Sequence, residues 1–445
     1  MKLLANIFER SNNFKDLAKK IIPHQTGTFS RAASSYVEGI FPSYVKSGKG
    51  SHFTDVDGNE YLDYLMGLGP ITLGYSYSVV NEAIIKQVHE GILFSLPHKI
   101  EFELSEMIST IVPHAEMVKF EKTGSNAVTA AVRAARAFTK KDMIAYCGTG
   151  GVWHDWQAAM VSRDGGVPDF NKDLIKVFDY NDFDGLEQIF EDFPNKIAAI
   201  VLEPTQFEEP KNNFLEKVRK ITNTNDSLLI LDEIVTGFRF DLAGAQKYFG
   251  IKGDLVCFGK GMANGLPLSA ITGPSEFMKT FDDLWVSSTN NSETLSLAGT
   301  KAVITEMKEK NTISHCWKIG KILFDGWNKI AEQNNINAKM TGYPVRMDLK
   351  CFDTTNIESL SMKSFISQEM VKQNIFMSIL GASYICYSHS EQDIEKTLHS
   401  FENVCNIINN KIKNNNYQEH LDGPLPKTIW SMKLPSIKKH NKLKI

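Results

Sequence analysis

The sequence Leu228-Leu-Ile-Leu-Asp232-Glu-Ile-Val-Thr-Gly237-Phe-Arg239 is the most informative part of the chain. Its apolar residues predict a buried strand that ends on Asp232, and Gly237 marks the break that follows. Ligands of parallel sheets bind in the crevice beyond the carboxyl ends of the strands. We therefore expect Asp232 to face a ligand, whereas Arg239 is predicted to be a structural ion-pair partner behind this strand.

A second apolar strand, Leu255–Phe258, leads directly into Gly259-Lys260-Gly261, with Lys260 twenty-eight residues after Asp232. A lysine between glycines is sterically open, and partial enclosure lowers the proton affinity of its amine, as a Schiff-base lysine requires. A neighbouring carboxylate holds a pyridinium nitrogen protonated and makes the ring an electron sink. The pair therefore suggests pyridoxal phosphate.

A third motif, Lys122-Thr-Gly124-Ser125-Asn126-Ala127, opens a helical pattern of small residues. A glycine, a hydroxyl and backbone N–H groups at a helix start together bind phosphate. The alternative is an ordinary helix cap by Ser125 with no ligand. The position of the motif ahead of the acid and the lysine favours phosphate.

Short apolar runs alternate with helical patterns through the middle of the chain, which is typical of a mostly parallel sheet covered by helices. The predicted strands are Met143–Cys147, Ala198–Leu202, Leu228–Leu231 and Leu255–Phe258, and the predicted helices are Ser125–Phe138 and Asn213–Thr222. Upstream, Asp57-Gly58-Asn59 predicts a hairpin within Ser51–Tyr64. Downstream, two helices and two strand-like pieces predict a smaller domain: Trp317–Gln333, Ser390–Asn409, Val345–Leu349 and Ser383–Tyr387.

The predicted fold class is α/β, with a large, mostly parallel-sheet domain and a smaller α+β domain built from both chain ends. We expect an N-terminal segment of the small domain at 1–70, the large cofactor-binding domain at 71–305 and the C-terminal part of the small domain at 306–415. A basic tail follows at 416–445. After Asp422 it holds six lysines and no acid, which predicts a solvated arm or an arm draped over a neighbour rather than a nucleic-acid-binding segment.

The 445 residues carry 49 Lys and Arg against 52 Asp and Glu, for a formal net charge of −3. This balance argues against nucleic-acid binding by the whole surface. With 42% hydrophobic and 23% charged residues, disorder over most of the chain is excluded. No secretory signal or membrane span is recognisable, so we expect a cytoplasmic protein with no membrane partner.

Metal, disulfide and nucleotide motifs are not recognisable in the sequence. The six cysteines are scattered, with no C-x-x-C pair and no matching histidine spacing, so we expect buried thiols and no metal site. Gly48-Lys49 and Gly259-Lys260 are each followed by glycine, where a P-loop needs Ser or Thr.

Together the motifs resemble the class III, fold-type I pyridoxal-phosphate aminotransferases, specifically the glutamate-1-semialdehyde 2,1-aminomutase-like branch. The resemblance covers about Ile22 to Asn409 and is carried by Thr54–Asp63, Lys122–Ser125, Leu202–Pro204, Asp232–Arg239, Phe258–Pro267 and Ser288–Thr289. Three further segments resemble a subgroup associated with bacterial surface-polysaccharide biosynthesis: Ser95–His98, Trp153–Trp156 and Phe207–Lys211.

The resemblance implies a role for each matching residue around the cofactor ring. Lys260 would form the Schiff base and then move the proton between the substrate α-carbon and the cofactor C4′. Asp232 would pair with the pyridine nitrogen, and Ile234 would pack on one face of the ring. Gln206 matches the position that hydrogen-bonds the phenolic oxygen, while Glu203 is expected to orient its neighbours.

At the other end of the cofactor, the resemblance implies that Gly124, Ser125 and Asn126 hold the phosphate. Thr289 of the partner subunit would join them, since family active sites lie at a dimer interface. The expected assembly is therefore a homodimer with shared active sites.

Two departures from the family pattern affect these expectations. The family carries an aromatic-His-Gly triplet whose ring stacks on the pyridine, but residues 147–153 are Cys-Gly-Thr-Gly-Gly-Val-Trp. Either Trp153 has taken over the stacking, or it is a core aromatic. The family's Thr-x-Gly-Gly is Thr289-Asn290-Asn291-Ser292 here, which removes two glycines where the neighbouring subunit comes close.

The predicted function is pyridoxal-phosphate-dependent amino transfer from an amino-acid donor to an aldehyde or ketone acceptor, including a sugar-derived one. One alternative is intramolecular transfer by a glutamate-1-semialdehyde 2,1-aminomutase, and another is a non-catalytic scaffold or binding protein with this fold. Arg31 lies where the aminomutase branch places an arginine that grips a substrate carboxylate. The alternative for Arg31 is a surface side chain in a loose N-terminal segment.

Overall fold

The structure is a computed structural model that describes residues 8–148, 151, 153–412, 415–428 and 431–439. The chain forms two compact units. The first contains the described residues of 1–78 and 314–429, and the second contains those of 79–313 and 430–445. By this division the basic tail is shared between the units.

The β-strands of the described residues are β1 (Val45–Lys49), β2 (His52–Asp55), β3 (Glu60–Asp63), β4 (Met117–Glu121), β5 (Met143–Cys147), β6 (Ile175–Val177), β7 (Ile197–Leu202), β8 (Leu228–Glu233), β9 (Leu255–Phe258), β10 (Ser269–Gly273), β11 (Ala338–Tyr343), β12 (Arg346–Cys351), β13 (Ile375–Phe376) and β14 (Ser383–Tyr384). The α-helices are α1 (Glu9–Ile21), α2 (Ser78–Glu90), α3 (Lys99–Ile111), α4 (Gly124–Thr139), α5 (Asp155–Ala158), α6 (Phe170–Asp173), α7 (Phe183–Asp192), α8 (Phe214–Thr224), α9 (Ala245–Phe249), α10 (Ser275–Met278), α11 (Thr294–Glu309), α12 (Thr312–Gln333), α13 (Leu360–Val371) and α14 (Glu391–Lys411).

The second unit is built on a seven-stranded sheet in the order β4-β10-β9-β8-β7-β5-β6. Strands β6, β5, β7, β8 and β9 are parallel neighbours, whereas β10 pairs antiparallel with both β9 and β4. Strand β4 therefore runs in the same direction as the parallel strands. The predicted α/β class with a mostly parallel sheet is confirmed.

Helix α4 packs against this sheet because its inward face carries small residues. Ala127, Ala131 and Ala135 are fully buried and belong to the same core cluster as Ile230 of β8 and Cys257 of β9. Small side chains allow the helix backbone to approach the sheet closely. This packing holds the start of α4 beside the ends of β8 and β9.

The carboxyl ends of the parallel strands lie at one edge of the sheet, which we name the carboxyl edge. The segments that leave the sheet there are Lys122–Asn126 after β4, the chain from Gly148 after β5, Glu203–Gln206 after β7, Ile234–Gly237 after β8 and Gly259–Lys260 after β9. All the cofactor motifs predicted from the sequence, apart from Thr289, therefore follow strands that end at this edge.

The first unit contains two small sheets, β1-β2-β3-β13 and β11-β12-β14. The predicted hairpin is confirmed by the antiparallel pairing of β2 and β3, and Gly58 in its turn has a φ of +96°. Residues from both chain ends share one core, in which Phe376 contacts the rings of Tyr36, Phe41 and Phe53. Trp327 of α12 also stacks on Phe401 of α14.

Residues 431–439 of the lysine-rich tail lie along the second unit, and we name this segment the C-terminal strap. Met432 and Leu434 pack against the core of this unit. The N–H of Lys433 donates to the carbonyl of Met160 at 2.7 Å, and Ser436 forms a parallel bridge with Val177 on the edge strand β6. The strap thus covers a sheet edge of its own chain, which the sequence did not predict.

Charge complementarity accompanies this docking. The lysines of the strap pair with acids of the second unit: Lys433 with Asp164, Lys438 with Asp179 and Asp182, and Lys439 with Asp184 and Glu187. The positive charge of the strap is therefore matched by acids of the same chain. Among the described residues, no helix combines the length and apolar character needed to cross a membrane.

Candidate active site

Asp232 is the last residue but one of β8 and lies at the carboxyl edge of the sheet. Strand β8 pairs with β7 through Leu231 and Leu202, and with β9 through Asp232 and Cys257. Oδ1 of Asp232 accepts the N–H of Ile234 at 3.0 Å. Burial, reinforced by the charge of Asp232, raises the pKa of the Cys257 thiol. The half-buried carboxylate is therefore held at the edge by its own loop.

Glu233, the next residue, is fully buried and organises the loop that follows. Its carboxylate accepts the hydroxyl of Thr236 and the N–H groups of Ala245 at 2.9 Å and Gln246 at 2.6 Å. A Cβ at Gly244 would lie 2.4 Å from Glu233 Oε2, so only glycine fits there. Burial raises the pKa of Glu233 to about 7. These contacts make Glu233 a structural anchor behind Asp232.

Lys260 begins a 3₁₀ turn, Lys260–Ala263, directly after β9. Its φ is +38°, in a region that residues with a side chain seldom adopt. The preceding Gly259 is extended and buried. Unusual backbone conformations of this kind are found where the surrounding structure holds a residue in a required direction. The Lys260 side chain is half-buried at the carboxyl edge.

The predicted phosphate motif forms the start of α4, which begins at Gly124. Thr123 caps the helix, because its Oγ1 accepts the N–H of Asn126 at 3.2 Å. The N–H groups of Gly124 and Ser125 lie in the first turn and have no acceptor within the helix. Together with the helix dipole, they favour an anion at this end.

The alternative of a helix cap by Ser125 is wrong, because Thr123 occupies the cap position. The Ser125 hydroxyl instead donates to the carbonyl of Gly151 at 3.3 Å. Ser125 therefore lies one residue inside the helix and faces the chain that follows β5.

Ile234 brings the three motifs into contact. A Cβ at Gly124 would lie 2.9 Å from both Cδ1 and Cγ2 of Ile234, and a Cβ at Gly259 would lie 3.1 Å from Cδ1. In addition, the Ser269 hydroxyl donates to the carbonyl of Thr123 at 2.8 Å and joins β10 to the start of α4. The side chain of Ile234 is therefore the point at which the end of β8, the end of β9 and the start of α4 meet.

This arrangement fits pyridoxal phosphate. The start of α4 offers N–H donors for a phosphate, Asp232 offers a carboxylate for a ring nitrogen, and Lys260 offers a primary amine for an aldehyde. Ile234 supplies an apolar surface between them. The glycines at 124 and 259 allow Ile234 to approach this closely, because a side chain at either position would press against it.

Gln206 also lies in the segment that leaves the carboxyl edge after β7. Its Nε2 donates to Glu203 Oε1 at 3.3 Å, and Glu203 directly follows Leu202, the register partner of Leu231. Tyr180 donates its hydroxyl to the carbonyl of Pro204 and anchors the same segment. Gln206 therefore follows the strand adjacent to the one that carries Asp232.

Trp153 is not a core aromatic, because its side chain is 73% exposed. Its ring lies edge-on to His154, with centroids 4.4 Å apart. The core position belongs to Trp156, which is buried and donates its indole N–H to Thr129 Oγ1 at 2.8 Å. Residues 149, 150 and 152 of the altered segment lie outside the described residues, and stacking by Trp153 stays a prediction.

His154 and Thr129 are residues of this region that the sequence interpretation missed. His154 Nδ1 lies 2.5 Å from Thr129 Oγ1, and burial lowers the pKa of His154. Thr129 is four residues after Ser125, so both lie on the same face of α4. That spacing is the signal that identifies the helix face contacted by Gly151, His154 and Trp156.

Thr289 is exposed, in a turn between β10 and α11. The Ser288 hydroxyl donates to Asn291 Oδ1, and the N–H of Asn291 donates to the carbonyl of Ser288 at 3.2 Å. Residues 289–292 are all described, and none of them has a positive φ. The two glycines of the family pattern are therefore not needed for this backbone conformation.

Arg31 belongs to the first unit, in the 3₁₀ turn Phe29–Arg31. The side chain is exposed, and its Nη2 donates to the carbonyl of Gly67 at 3.1 Å. This hydrogen bond ties the N-terminal segment to the loop after β3. A role of Arg31 in substrate binding stays a prediction.

The cysteines and potential metal ligands follow a simple pattern. All six cysteines are buried, as expected, and burial raises the pKa of Cys147, Cys351, Cys386 and Cys405. Within the described part of the chain, no group of three or more His, Cys, Asp or Glu side chains could hold a metal ion.

Comparison with known proteins gives consistent matches over most of the chain. The sequence model of the family described as "Aminotransferase class-III" matches residues 34–343. The 3-aminobutyryl-CoA aminotransferase of Cloacimonas acidaminovorans (strain Evry) is 34% identical over 87% of this chain and 95% of its own length. The glutamate-1-semialdehyde 2,1-aminomutase of Alkaliphilus oremlandii (strain OhILAs) is 31% identical over 91% of this chain and 100% of its own.

Solved structures show the same fold at lower identity. The FumI protein of Sphingopyxis sp. MTA144, in its PLP internal aldimine form, superposes with a TM-score of 0.84 at 21% identity and covers 94% of this chain and 99% of its own. An omega-transaminase from Sphaerobacter thermophilus has a TM-score of 0.82 at 22% identity and covers 89% of this chain and 97% of its own.

Proposed function

The chain belongs to the class-III aminotransferase family, and we propose that it transfers an amino group from an amino-acid donor to the carbonyl carbon of a separate aldehyde or ketone acceptor. Members of this family are pyridoxal-phosphate-dependent enzymes with the fold-type I architecture, and this chain shares that fold, cofactor and class of reaction. The proposal concerns the two-substrate form of the reaction and the residues that perform it.

One observation carries the residue assignment: Ile234 contacts the positions of both Gly124 and Gly259. This contact places the phosphate helix, the strand of Asp232 and the turn of Lys260 around a single point. Three motifs that are far apart in the sequence thus supply the three chemical groups that pyridoxal phosphate needs.

In the proposed mechanism, Lys260 would hold the cofactor covalently and would move a proton to and from the reacting carbon of the substrate. The charge of Asp232 would keep the pyridine nitrogen protonated, and Ile234 would support one face of the ring. When bound, the cofactor would supply an electron sink for the negative charge that develops at that carbon. Gln206 would donate to the phenolic oxygen, and Trp153 would cover the other face.

At the phosphate end, the first N–H groups of α4 and the side chains of Ser125 and Asn126 bind the anion. We also propose that the active form is a homodimer in which Thr289 of the partner subunit completes this cradle. The exposed position of Thr289 is compatible with such a role.

Exposed apolar side chains on α2, on α3 and on the segment between these helices support the dimer. We name this set the apolar patch, and its members are Ile85, Val88, Ile92, Leu93, Phe94, Leu96 and Phe102. The patch is joined to the turn of Thr289, because Thr294 donates its N–H to the carbonyl of Ile92 at 2.9 Å and its hydroxyl to that of Gly91 at 2.8 Å. A second copy that covers this apolar patch would therefore also approach Thr289.

The intramolecular aminomutase reaction is the second candidate, favoured by the 31% identity to the Alkaliphilus oremlandii enzyme. Carboxylate binding by Arg31 belongs to either reaction. A role in surface-polysaccharide biosynthesis and a cytoplasmic location are predictions from the sequence alone. The non-catalytic scaffold is disfavoured because a scaffold needs neither the strained Lys260 nor glycines at 124 and 259.

The visible absorption of the purified protein tests the catalytic assignment. We expect a band from the linkage between Lys260 and the cofactor, loss of that band in Lys260→Ala, and bleaching of the wild-type band by an effective amino donor. A band that survives Lys260→Ala contradicts the assignment, and a band insensitive to every donor favours the scaffold. Complete conversion of glutamate-1-semialdehyde to 5-aminolevulinate without a donor would establish the aminomutase instead.

A further inference from the structure

We propose that the ion pair between Lys122 and Glu293 is a positioning pair for the phosphate end of the site. It joins the start of α4, which belongs to the site of its own subunit, to the turn that carries Thr289, which completes the site of the partner, so that the pair in each subunit supports parts of both phosphate cradles. The inference rests on the proposed function, because it concerns how the same site holds the phosphate of its cofactor.

The pair is short and largely enclosed. Lys122 Nζ lies 2.7 Å from Glu293 Oε1, and the two side chains are only 16% and 15% exposed. Burial opposes the charge of Glu293, but the hydrogen bonds from Lys122 and Ser296 hold its pKa below the usual value. Glu293 therefore carries its charge at neutral pH, and solvent screens its ion pair with Lys122 much less than a surface pair.

Glu293 has a second task at the start of α11. Its Oε2 accepts the N–H of Leu295 at 2.9 Å, and its Oε1 accepts that of Ser296 at 3.2 Å. Glu293 is thus the N-cap of α11. Lys122 directly precedes Thr123, the N-cap of α4. A single carboxylate therefore ties the beginnings of two helices together.

The turn of Thr289 is linked to the same carboxylate through its backbone. The N–H of Glu293 donates to the carbonyl of Asn290 at 3.2 Å, and Asn291 is held by Ser288. A shift of Glu293 consequently moves the residues on both sides of Thr289. The pair then sets where α4 begins and where the turn of Thr289 lies.

The effect of Glu293→Gln on phosphate binding distinguishes a role through charge from a role through positioning, because the two roles predict opposite changes in affinity. Glu293→Gln leaves the ammonium of Lys122 unpaired beside the start of α4, so charge alone would tighten the binding of an anionic phosphate. A positioning role predicts weaker binding, because the link between α4 and the turn is lost. Lys122→Met weakens binding under both explanations.

The test measures the dissociation constants of pyridoxal phosphate and of pyridoxal, which lacks the phosphate, for the apoenzyme. We expect Glu293→Gln, Lys122→Met and the double variant each to raise the constant for pyridoxal phosphate about tenfold. The constant for pyridoxal stays at its wild-type value, because its contacts do not involve α4. Lys122→Arg, which retains the charge, restores most of the affinity.

Lys301→Met is the matched control. Lys301 also belongs to α11 and pairs with Glu103 at 2.6 Å, so this change removes one charge from a short but more exposed ion pair of the same helix that is not joined to Lys122. We expect it to leave both dissociation constants unchanged. Thermal unfolding of each apoenzyme shows whether a variant is folded. If Lys122→Met does not fold, Lys122→Arg and Glu293→Gln still decide the test.

Tighter or unchanged binding of pyridoxal phosphate by Glu293→Gln overturns the proposal, as does an equal loss of affinity for pyridoxal. These outcomes are distinct from a failure of the proposed function. In that case the wild-type protein itself would show no band that depends on Lys260.

Discussion

Ile234 lies so close to Gly124 that a Cβ at position 124 would come within 2.9 Å of two of its side-chain carbons. The contact links Ile234, the residue after β8, to Gly124, the first residue of α4, which lies 110 positions earlier in the chain. A methyl group at this point must move either the helix or the isoleucine.

Gly124→Ala is therefore expected to weaken the binding of pyridoxal phosphate by roughly tenfold, since overpacking of a tight contact costs about 1–3 kcal/mol. Titration of the apoenzyme measures the effect. Gly165→Ala is the control, because a Cβ at Gly165 meets nothing within 4 Å. Because Ile234→Ala removes the carbons that a Cβ at position 124 would meet, Gly124→Ala should cost little further affinity when added to Ile234→Ala, and an undiminished cost would show that the contact is not the cause.

Trp153→Ala is expected to weaken cofactor binding and shift its visible band without lowering the stability of the apoenzyme, because the side chain is 73% exposed. Trp156→Ala should instead destabilise the protein by about 3–5 kcal/mol, as large buried aromatics do. Urea unfolding and visible spectra of both variants provide the measurements. If Trp153→Ala leaves the spectrum and the affinity unchanged, the stacking role of Trp153 is wrong.

Glu233→Gln is expected to change how stability depends on pH. Burial raises the pKa of Glu233 to about 7 in the folded state, from a usual value of 4.5. The folded protein therefore binds more protons than the unfolded chain between these values, and this contribution to stability is lost as the pH rises through about 7.

The free energy of unfolding of the wild type should thus fall relative to Glu233→Gln between pH 5 and pH 8.5, by on the order of 3 kcal/mol. Urea unfolding of both proteins at several pH values measures the difference. Curves that stay parallel over this range would show that Glu233 titrates normally.

The C-terminal strap offers a comparison of apolar and ionic contacts. Leu434→Ala is expected to lower the free energy of unfolding of the second unit by about 1–2 kcal/mol, because Leu434 packs partly buried against its core. Lys439→Met should have little effect, since Lys439 and its partners are exposed and screened by solvent.

Thermal unfolding of the two strap variants at low and high salt checks this order. If Lys439→Met lowers the stability strongly and in a salt-dependent way while Leu434→Ala has no effect, ion pairs and not apolar contacts hold the strap in place.

Much of the site could be predicted because its motifs are local. The spacing of apolar residues and the positions of glycines predict three of its elements: the strand before Asp232, the strand before Lys260 and the helix that starts near Ser125. Strands β5 and β9 have the predicted bounds. The residue that caps α4 could not be predicted, because Thr123 and Ser125 carry the same hydroxyl and only the hydrogen bond from the N–H of Asn126 to Thr123 Oγ1 distinguishes them.

Contacts between segments that are far apart in the sequence could not be predicted from such local patterns. Lys122 and Glu293 are 171 residues apart, and neither has a sequence neighbour that indicates the other. The same holds for the strap, where the pairing of Lys433 with Asp164 spans 269 residues. A run of lysines specifies its charge but not the acids that will face it.

From the amino-acid sequence alone, periodicity within each element predicted the fold class, and the residue types of the motifs indicated the family and the three groups that we propose for cofactor chemistry. The order of the strands around β8, the contact of Ile234 with both glycines, the link from Lys122 to Glu293 and the docking of the strap depended on the folded chain. They arise when packing of the sheet and helices brings remote segments within a few ångströms, and no local pattern records that proximity.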